Sequence, residues 1–298
     1  MSADGLLVVD KPAGLTSHAV VARVRKAMAT RKVGHAGTLD PMATGVLVVG
    51  VGRATRLLTM LTGADKSYEA TIRFGWSTST DDAEGELLGE VHDASGIAAE
   101  SVVERIFAFT GEISQVPSTI SAIKVDGKRA HARARAGEEV VLAARHVVVS
   151  RFEMTSGLRP AANGSVECDV AVDCSSGTYI RALARDLGEV LGVGGHLTAL
   201  RRTRVGPFSL TEAVDLERAV PADLLPMGDS AKRFLPWVHV DSEAANLIAH
   251  GVRIEWPREG VSTDNCAGAS QIAVIADQGE LIAVASVGAK LHYNAVFV

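Results

Sequence analysis

The 298 residues, 47% apolar, 4% aromatic and 22% charged, are enough for one large domain and a small one and exclude a largely disordered chain. Met1 to Gly5 carries no basic region and the apolar run Leu6 to Val9 is too short for a signal peptide or membrane span, so a cytoplasmic protein with no membrane partner is expected. The formal net charge of −5 argues against a nucleic-acid partner, because phosphates are bound by Lys and Arg.

Along the chain, Gly5 to Asp10 predicts a buried strand, and Lys11-Pro12-Ala13-Gly14 a turn. A helix follows, with Ser17 as its N-cap, Val20, Val21, Val24, Ala27 and Met28 on its apolar side, and Arg23, Arg25, Lys26, Arg31 and Lys32 keeping the other side basic. Residues 34–44 read as a glycine-containing loop, Gly45 to Val49 as a strand, Ala54 to Leu61 as a short helix and Ser67 to Phe74 as an alternating strand. The acidic run Asp81 to Glu90 predicts a loop before a helix near Ala98 to Phe109. Residues 115–145 read as a projecting basic insertion, with an Asp126-Gly127 hairpin signal and a helix over Lys128 to Arg135. Strands at Val147 to Glu153 and Val166 to Cys174, a helix at Tyr179 to Val190 and a strand at Leu197 to Val205 complete a large domain. After a linker punctuated by Pro221, Pro226 and Pro236, strands at Ile272 to Ile275 and Leu281 to Ala285 suggest a small β-rich domain. Strands and helices mix without a regular βαβ rhythm, which predicts an α+β fold on a mixed or antiparallel sheet.

The charges are segregated. Residues 1–75 hold ten Lys/Arg against five Asp/Glu, residues 122–160 eight against four, and residues 178–206 five against two. The excess acid lies in residues 80–115, with nine acids and one base, and in residues 207–298, with twelve and six. An acidic protein can thus carry a basic face.

Several familiar chemistries are excluded. Gly50-Val51-Gly52 follows an apolar run, with Glu69 about where a ribose-binding acid would sit, but Thr55 stands where a dinucleotide-binding turn needs its third glycine. There is no Gly-x-Ser-x-Gly elbow, no His-Glu-x-x-His and no Cys-x-x-Cys, so neither a triad hydrolase nor a metal site is expected. Asp81 to Glu86 is too short and mis-spaced for a calcium loop. The three cysteines, Cys168, Cys174 and Cys266, read as reduced core thiols.

The informative segment is Gly34-His35-Ala36-Gly37-Thr38-Leu39-Asp40-Pro41. Its glycines let the backbone bend close to a ligand, and Pro41 confines Asp40 to extended conformations, which presents a carboxylate on a shaped loop. By itself Asp-Pro is an ordinary turn. The segment does not stand alone. It resembles the catalytic signature of the TruB family of tRNA pseudouridine synthases, and four further stretches resemble that family's motifs in the same order. These are Gly5 to Ser17 with Asp10-Lys11-Pro12 and Gly14, Lys66-Ser67-Tyr68, Gly177-Thr178-Tyr179-Ile180-Arg181, and Leu200-Arg201-Arg202-Thr203.

The resemblance implies a pseudouridine synthase catalytic domain over residues 1–225 and a small C-terminal PUA-like domain over 226–298. It implies isomerisation of uridine 55 in the tRNA T-loop without a cofactor; no protein partner is implied, and since nothing in the sequence suggests an obligate multimer, a monomer is expected. Asp40 would be the nucleophile, adding to C1′ of the ribose or C6 of the base. Arg181 would pair with it, and Tyr68 would stack on the base near C5. Tyr179 and Leu200 would complete the pocket, His35 would contact the extruded nucleotide, Lys11 the substrate, and Asp82 would keep a supporting role in a segment, Ser79 to Asp82, that departs from the family's more acidic pattern. Arg31, Lys32, Lys124, Lys128, Arg129, Arg133 and Arg135 would grip the RNA backbone. The acidic residues 207–298 show only a loose similarity to the family's RNA-binding module, around Leu247 to Ile254. Two other readings compete: a chaperone that holds the tRNA elbow, and a synthase acting on ribosomal RNA.

Overall fold

A computed structural model describes residues 4–118, 124–125, 128–129, 142–257, 266 and 268–297. The continuous apolar run near the start forms β1 (Gly5–Lys11), and α1 (Ser17–Ala27) follows its turn. The helix is capped by Thr16, whose hydroxyl accepts from the Ala19 N–H at 3.1 Å, and not by Ser17, which is buried and used elsewhere. The segment read as a loop from residue 34 begins as a short strand, β2 (Val33–His35), hydrogen-bonded antiparallel to the end of β3 (Thr44–Val51). A 3₁₀ turn (Gly52–Arg56) and α2 (Leu58–Thr62) stand where a single helix is predicted.

Strand β4 (Lys66–Phe74) alternates as expected, with Lys66, Tyr68, Ala70, Ile72 and Phe74 buried. Helix α3 (Ala99–Phe107) leads to β5 (Gly111–Gln115), a polar strand that the sequence pattern does not reveal. Lys124–Val125 and Lys128–Arg129 form short paired strands with Lys124 opposite Arg129, while the predicted turn residues between them, Asp126 and Gly127, lie outside the described residues. Lys128 and Arg129 are therefore extended, not helical; the rest of that predicted helix, Ala130 to Arg135, lies outside the described residues. Then come β6 (Arg145–Met154), β7 (Val166–Cys174), α4 (Ile180–Val190) and β8 (Gly195–Val205). The last part holds α5 (Met227–Lys232), β9 (Trp237–Val240), α6 (Ser242–Ala249), β10 (Gln271–Ala276), β11 (Leu281–Ser286) and β12 (His292–Val296).

Backbone contacts divide the chain into two compact units. One comprises residues 40–45 and 63–205. Its sheet runs β8, β4, β7, β6, β5 with antiparallel neighbours, and Thr44 and Gly45 at the start of β3 pair parallel with Arg201 and Arg202 of β8. The sheet is therefore mixed, and the α+β reading holds. The amphipathic α4 buries Ile180, Leu183, Ala184 and Leu187.

The other unit comprises residues 1–39, 46–62 and 206–298. Here α1 lays Val20, Val21 and Val24 against Leu7 and Val9 of β1 and Leu47, Val49 and Val51 of β3. Chain from both sides of residue 225 joins in this unit: Leu57 packs with Ala231, Ala273, Val284 and Phe297, and Arg56 Nη1 donates to the Val296 carbonyl. Within it, β9 to β12 form a four-stranded sheet whose core includes Val238, Val240, Ile272, Val274 and Ile282, covered by Ala244 and Ile248 of α6. The β-rich C-terminal part is thus as predicted. Among the described residues no helix is long and apolar enough to cross a membrane.

All three cysteines are buried and unbridged. Burial pushes the Cys168 thiol up to about 12 and the Cys174 thiol up to about 11, and raises that of Cys266. A chromogenic disulfide reagent at pH 8 is expected to find no fast-reacting thiol in the native chain and three after denaturation. A thiol that reacts rapidly in native buffer would contradict this packing.

Candidate active site

The residue before Asp40 is held by its backbone. Ser17, in the first turn of α1, accepts a hydrogen bond from the Leu39 N–H at 2.9 Å and donates to the Leu39 carbonyl at 3.1 Å. One buried hydroxyl thereby satisfies both backbone groups of the residue preceding Asp40. Beyond Asp40, the Ala43 N–H donates to the Asp40 carbonyl at 3.2 Å. Gly45 then passes so close to β8 that a Cβ would lie 2.2 Å from the Arg202 carbonyl oxygen, with φ at +103°, so only glycine fits.

Asp40 keeps 33% of its side chain exposed, whereas its partner Arg181 keeps 5%. Arg181 lies in the first turn of α4, and its guanidinium meets the carboxylate with two prongs, Nε to Oδ2 at 2.9 Å and Nη2 to Oδ1 at 3.2 Å. The remaining nitrogen, Nη1, donates to the Thr80 carbonyl at 2.7 Å and lies 3.5 Å from Oδ2 of Asp82. Asp82 is itself buried and accepts from the Thr80 hydroxyl and from the Glu84 N–H at 3.0 Å. One planar cation thus joins an inner carboxylate, a backbone carbonyl and an outer, accessible carboxylate. Bidentate pairing fixes the plane of Asp40 as well as its position. Asp82 and Asp40 thus share the Arg181 guanidinium.

Tyr68, third in β4, stands directly opposite Arg202 of β8 and Val172 of β7. Burial raises the pKa of its phenol; the Arg202 guanidinium, hydrogen-bonded to the Tyr68 side chain, opposes that shift, and the Asp40 carboxylate adds to it. Leu200 is buried opposite Ala70, on the same face as Tyr68 and two positions away along β4. Tyr179 is the half-buried residue that starts α4, two before Arg181. The unit comprising residues 40–45 and 63–205 therefore supplies Asp40, Tyr68, Asp82, Tyr179, Arg181 and Leu200. The sequence gives Arg202 and Thr80 no individual role, and neither carries a signal that would have assigned one.

Four sequence-predicted residues lie in the other unit. Lys11 is fully buried, with Nζ donating to the carbonyls of Pro12 at 2.9 Å and Leu15 at 2.7 Å. Its ammonium closes its own turn. His35 ends β2, half-buried, with its ring edge-on to His18 at 5.5 Å. Arg31 and Lys32 are exposed just before β2. Of the insertion's cations, Lys124, Lys128 and Arg129 lie on the two short paired strands, while Arg133 and Arg135 lie outside the described residues. Among the described residues no cluster of His, Cys, Asp and Glu is arranged to hold a metal.

Known proteins resemble this chain in sequence and in fold. Residues 25–180 match the model of the TruB family pseudouridylate synthase N-terminal domain, and residues 181–224 that of the tRNA pseudouridylate synthase B C-terminal domain. The fold is that of a pseudouridylate synthase. Curated relatives called tRNA pseudouridine synthase B include one from Arthrobacter sp. (strain FB24), 53% identical over 92% of this chain and 93% of that one, and one from Rhodococcus jostii (strain RHA1), 57% identical over 84% and 82%. Among solved structures, the crystal structure of a Cbf5-Nop10-Gar1 complex superposes with a TM-score of 0.71 at 27% identity, covering 99% of this chain and 85% of that one. The chain belongs to the TruB family of pseudouridylate synthases.

Because Arg181 compensates a buried carboxylate, Arg181→Met should destabilise the fold by about 3 kcal/mol in urea titrations, mainly through the stranded Asp82. Adding Asp82→Asn should recover part of that loss. Strict additivity of the two substitutions would show that the pair is not coupled.

Proposed function

We propose that this chain converts uridine 55 in the T-loop of tRNA to pseudouridine, with Asp40 as nucleophile. The supporting observation is the two-pronged Asp40–Arg181 pair, a part-exposed carboxylate held by a buried cation in a member of a pseudouridylate synthase family. In this reaction the bond from C1′ to N1 breaks, the base rotates and C1′ bonds to C5. C5 gives up its proton and N1 ends with one, so atoms and electrons balance with no redox partner or group donor. Asp40 adds to C1′ or to C6, splitting the exchange into easier steps. Tyr68 supplies a face for the base and stands near C5, Tyr179 and Leu200 close the pocket, and His35 meets the extruded nucleotide.

A T-loop uridine is stacked inward, and turning it out costs a few kcal/mol. Charge on the RNA backbone provides the offset in this reading. Arg31 and Lys32 are exposed, and the sequence adds Lys124, Lys128, Arg129, Arg133 and Arg135 in one basic segment. Residues 226–298 act as a PUA-like module; their net acidic composition assigns most of the electrostatic grip to the basic segments instead. The enzyme works as a cytoplasmic monomer on tRNA.

Asp40→Asn keeps the size of the side chain but removes the nucleophile and, because its amide nitrogen cannot accept, one of the two bonds from Arg181. Pseudouridine formation on a tRNA transcript should fall to background, with tRNA affinity within about threefold of the parent, a change of under 1 kcal/mol. Substantial turnover by this variant would remove Asp40 from the chemistry. Deleting the gene and mapping pseudouridine across total RNA should erase the tRNA position 55 signal alone; loss from ribosomal RNA would point to the other substrate.

A further inference from the structure

Gln115, the last residue of β5, lies outside every motif described above, yet its amide holds the backbone of Tyr179 at two points. The Tyr179 N–H donates to Gln115 Oε1 at 2.8 Å, and Gln115 Nε2 donates to the Tyr179 carbonyl at 3.1 Å. A primary amide presents a donor and an acceptor in one plane, which matches the two polar groups of a single backbone residue. The side chain is 2% exposed, so water is no ready substitute for either bond. One residue on, the Val116 carbonyl accepts from Arg185 Nη2 at 2.7 Å, while Arg185 Nη1 donates to Asp81 Oδ2 at 3.1 Å. Residues 115 and 116 thus grip α4 at Tyr179 and at Arg185, on either side of Arg181. In the sequence Val116 stands eight positions before Lys124, where the basic segment begins.

We infer that Gln115 is a positioning residue: by fixing the backbone of Tyr179 it sets the pocket wall and the aim of Arg181 at Asp40, and it ties both to the root of the basic segment. This rests on the roles proposed above for Asp40, Tyr179 and Arg181. The reacting groups tolerate little displacement, and a shift of about 1 Å costs roughly a hundredfold in rate.

Gln115→Leu removes both bonds at similar volume. Its single-turnover rate on tRNA should fall roughly a hundredfold while Kd for tRNA changes by less than about threefold. Gln115→Glu separates positioning from mere packing. Its ionised carboxylate accepts from the Tyr179 N–H but opposes the Tyr179 carbonyl, whereas its protonated form donates O–H there and restores both bonds. The rate of Gln115→Glu relative to the parent should therefore climb as the pH is lowered from about 8 to about 6, within reach of a buried glutamate. The same ratio for Gln115→Leu should stay flat. A full rate in Gln115→Leu, or a pH-independent ratio in Gln115→Glu, overturns the inference. An active Asp40→Asn variant would instead strike the proposed reaction; an inactive one beside fully active Gln115 variants would remove Gln115 alone.

Discussion

One guanidinium organises the candidate site. Arg181 is almost wholly buried, and a buried cation is tolerated only where its hydrogen bonds and charge are answered. Asp82 and the Thr80 carbonyl answer it from within, which leaves the Nε and Nη2 edge free to hold Asp40 in a single plane. The requirement propagates outward. The segment Thr78 to Glu84 must fold back on itself to present a carbonyl and a carboxylate together, and the Thr78 and Thr80 hydroxyls and the Glu84 N–H serve that fold. Helix α4 must start where it does, because Arg181 reaches Asp40 from its first turn.

The same constraint explains why the loop before Asp40 is so fully tied. A carboxylate held at its head by a rigid fork gains little if its own backbone wanders. Ser17 uses its hydroxyl to lock Leu39, and Gly45 permits the close passage of the chain against β8. These groups add no chemistry of their own. In the proposed reaction they remove the conformational freedom that would otherwise raise the barrier.

Much of the fold is legible in the sequence because its strands and helices bury one face with a clear period. Strands β1, β4, β7 and β8 and helices α1 and α4 lie within a residue or two of their predicted spans. Strand β5 is not legible: Gly-Glu-Ile-Ser-Gln has no apolar alternation, and its extended state comes from pairing with β6. Ser17 looks like a helix cap because Thr16 and Ser17 are equivalent to a local rule, and only a residue 22 positions away decides between them. The motif containing Asp40 and that containing Arg181 can each be read, but their meeting across 141 positions is a property of the sheet, not of either segment. Lys11 is a further case of local reading running out: nothing in its neighbours announces that two carbonyls accept from its ammonium.

The most direct measurement is a crystal structure of the enzyme with a T-stem-loop RNA whose target uridine carries fluorine at C5, which cannot depart as a proton. The account predicts an everted base against Tyr68, with the Asp40 carboxylate at bonding distance from C1′ or C6 and still forked by Arg181. A target base left stacked inside its loop, with RNA bound away from Asp40, would contradict it.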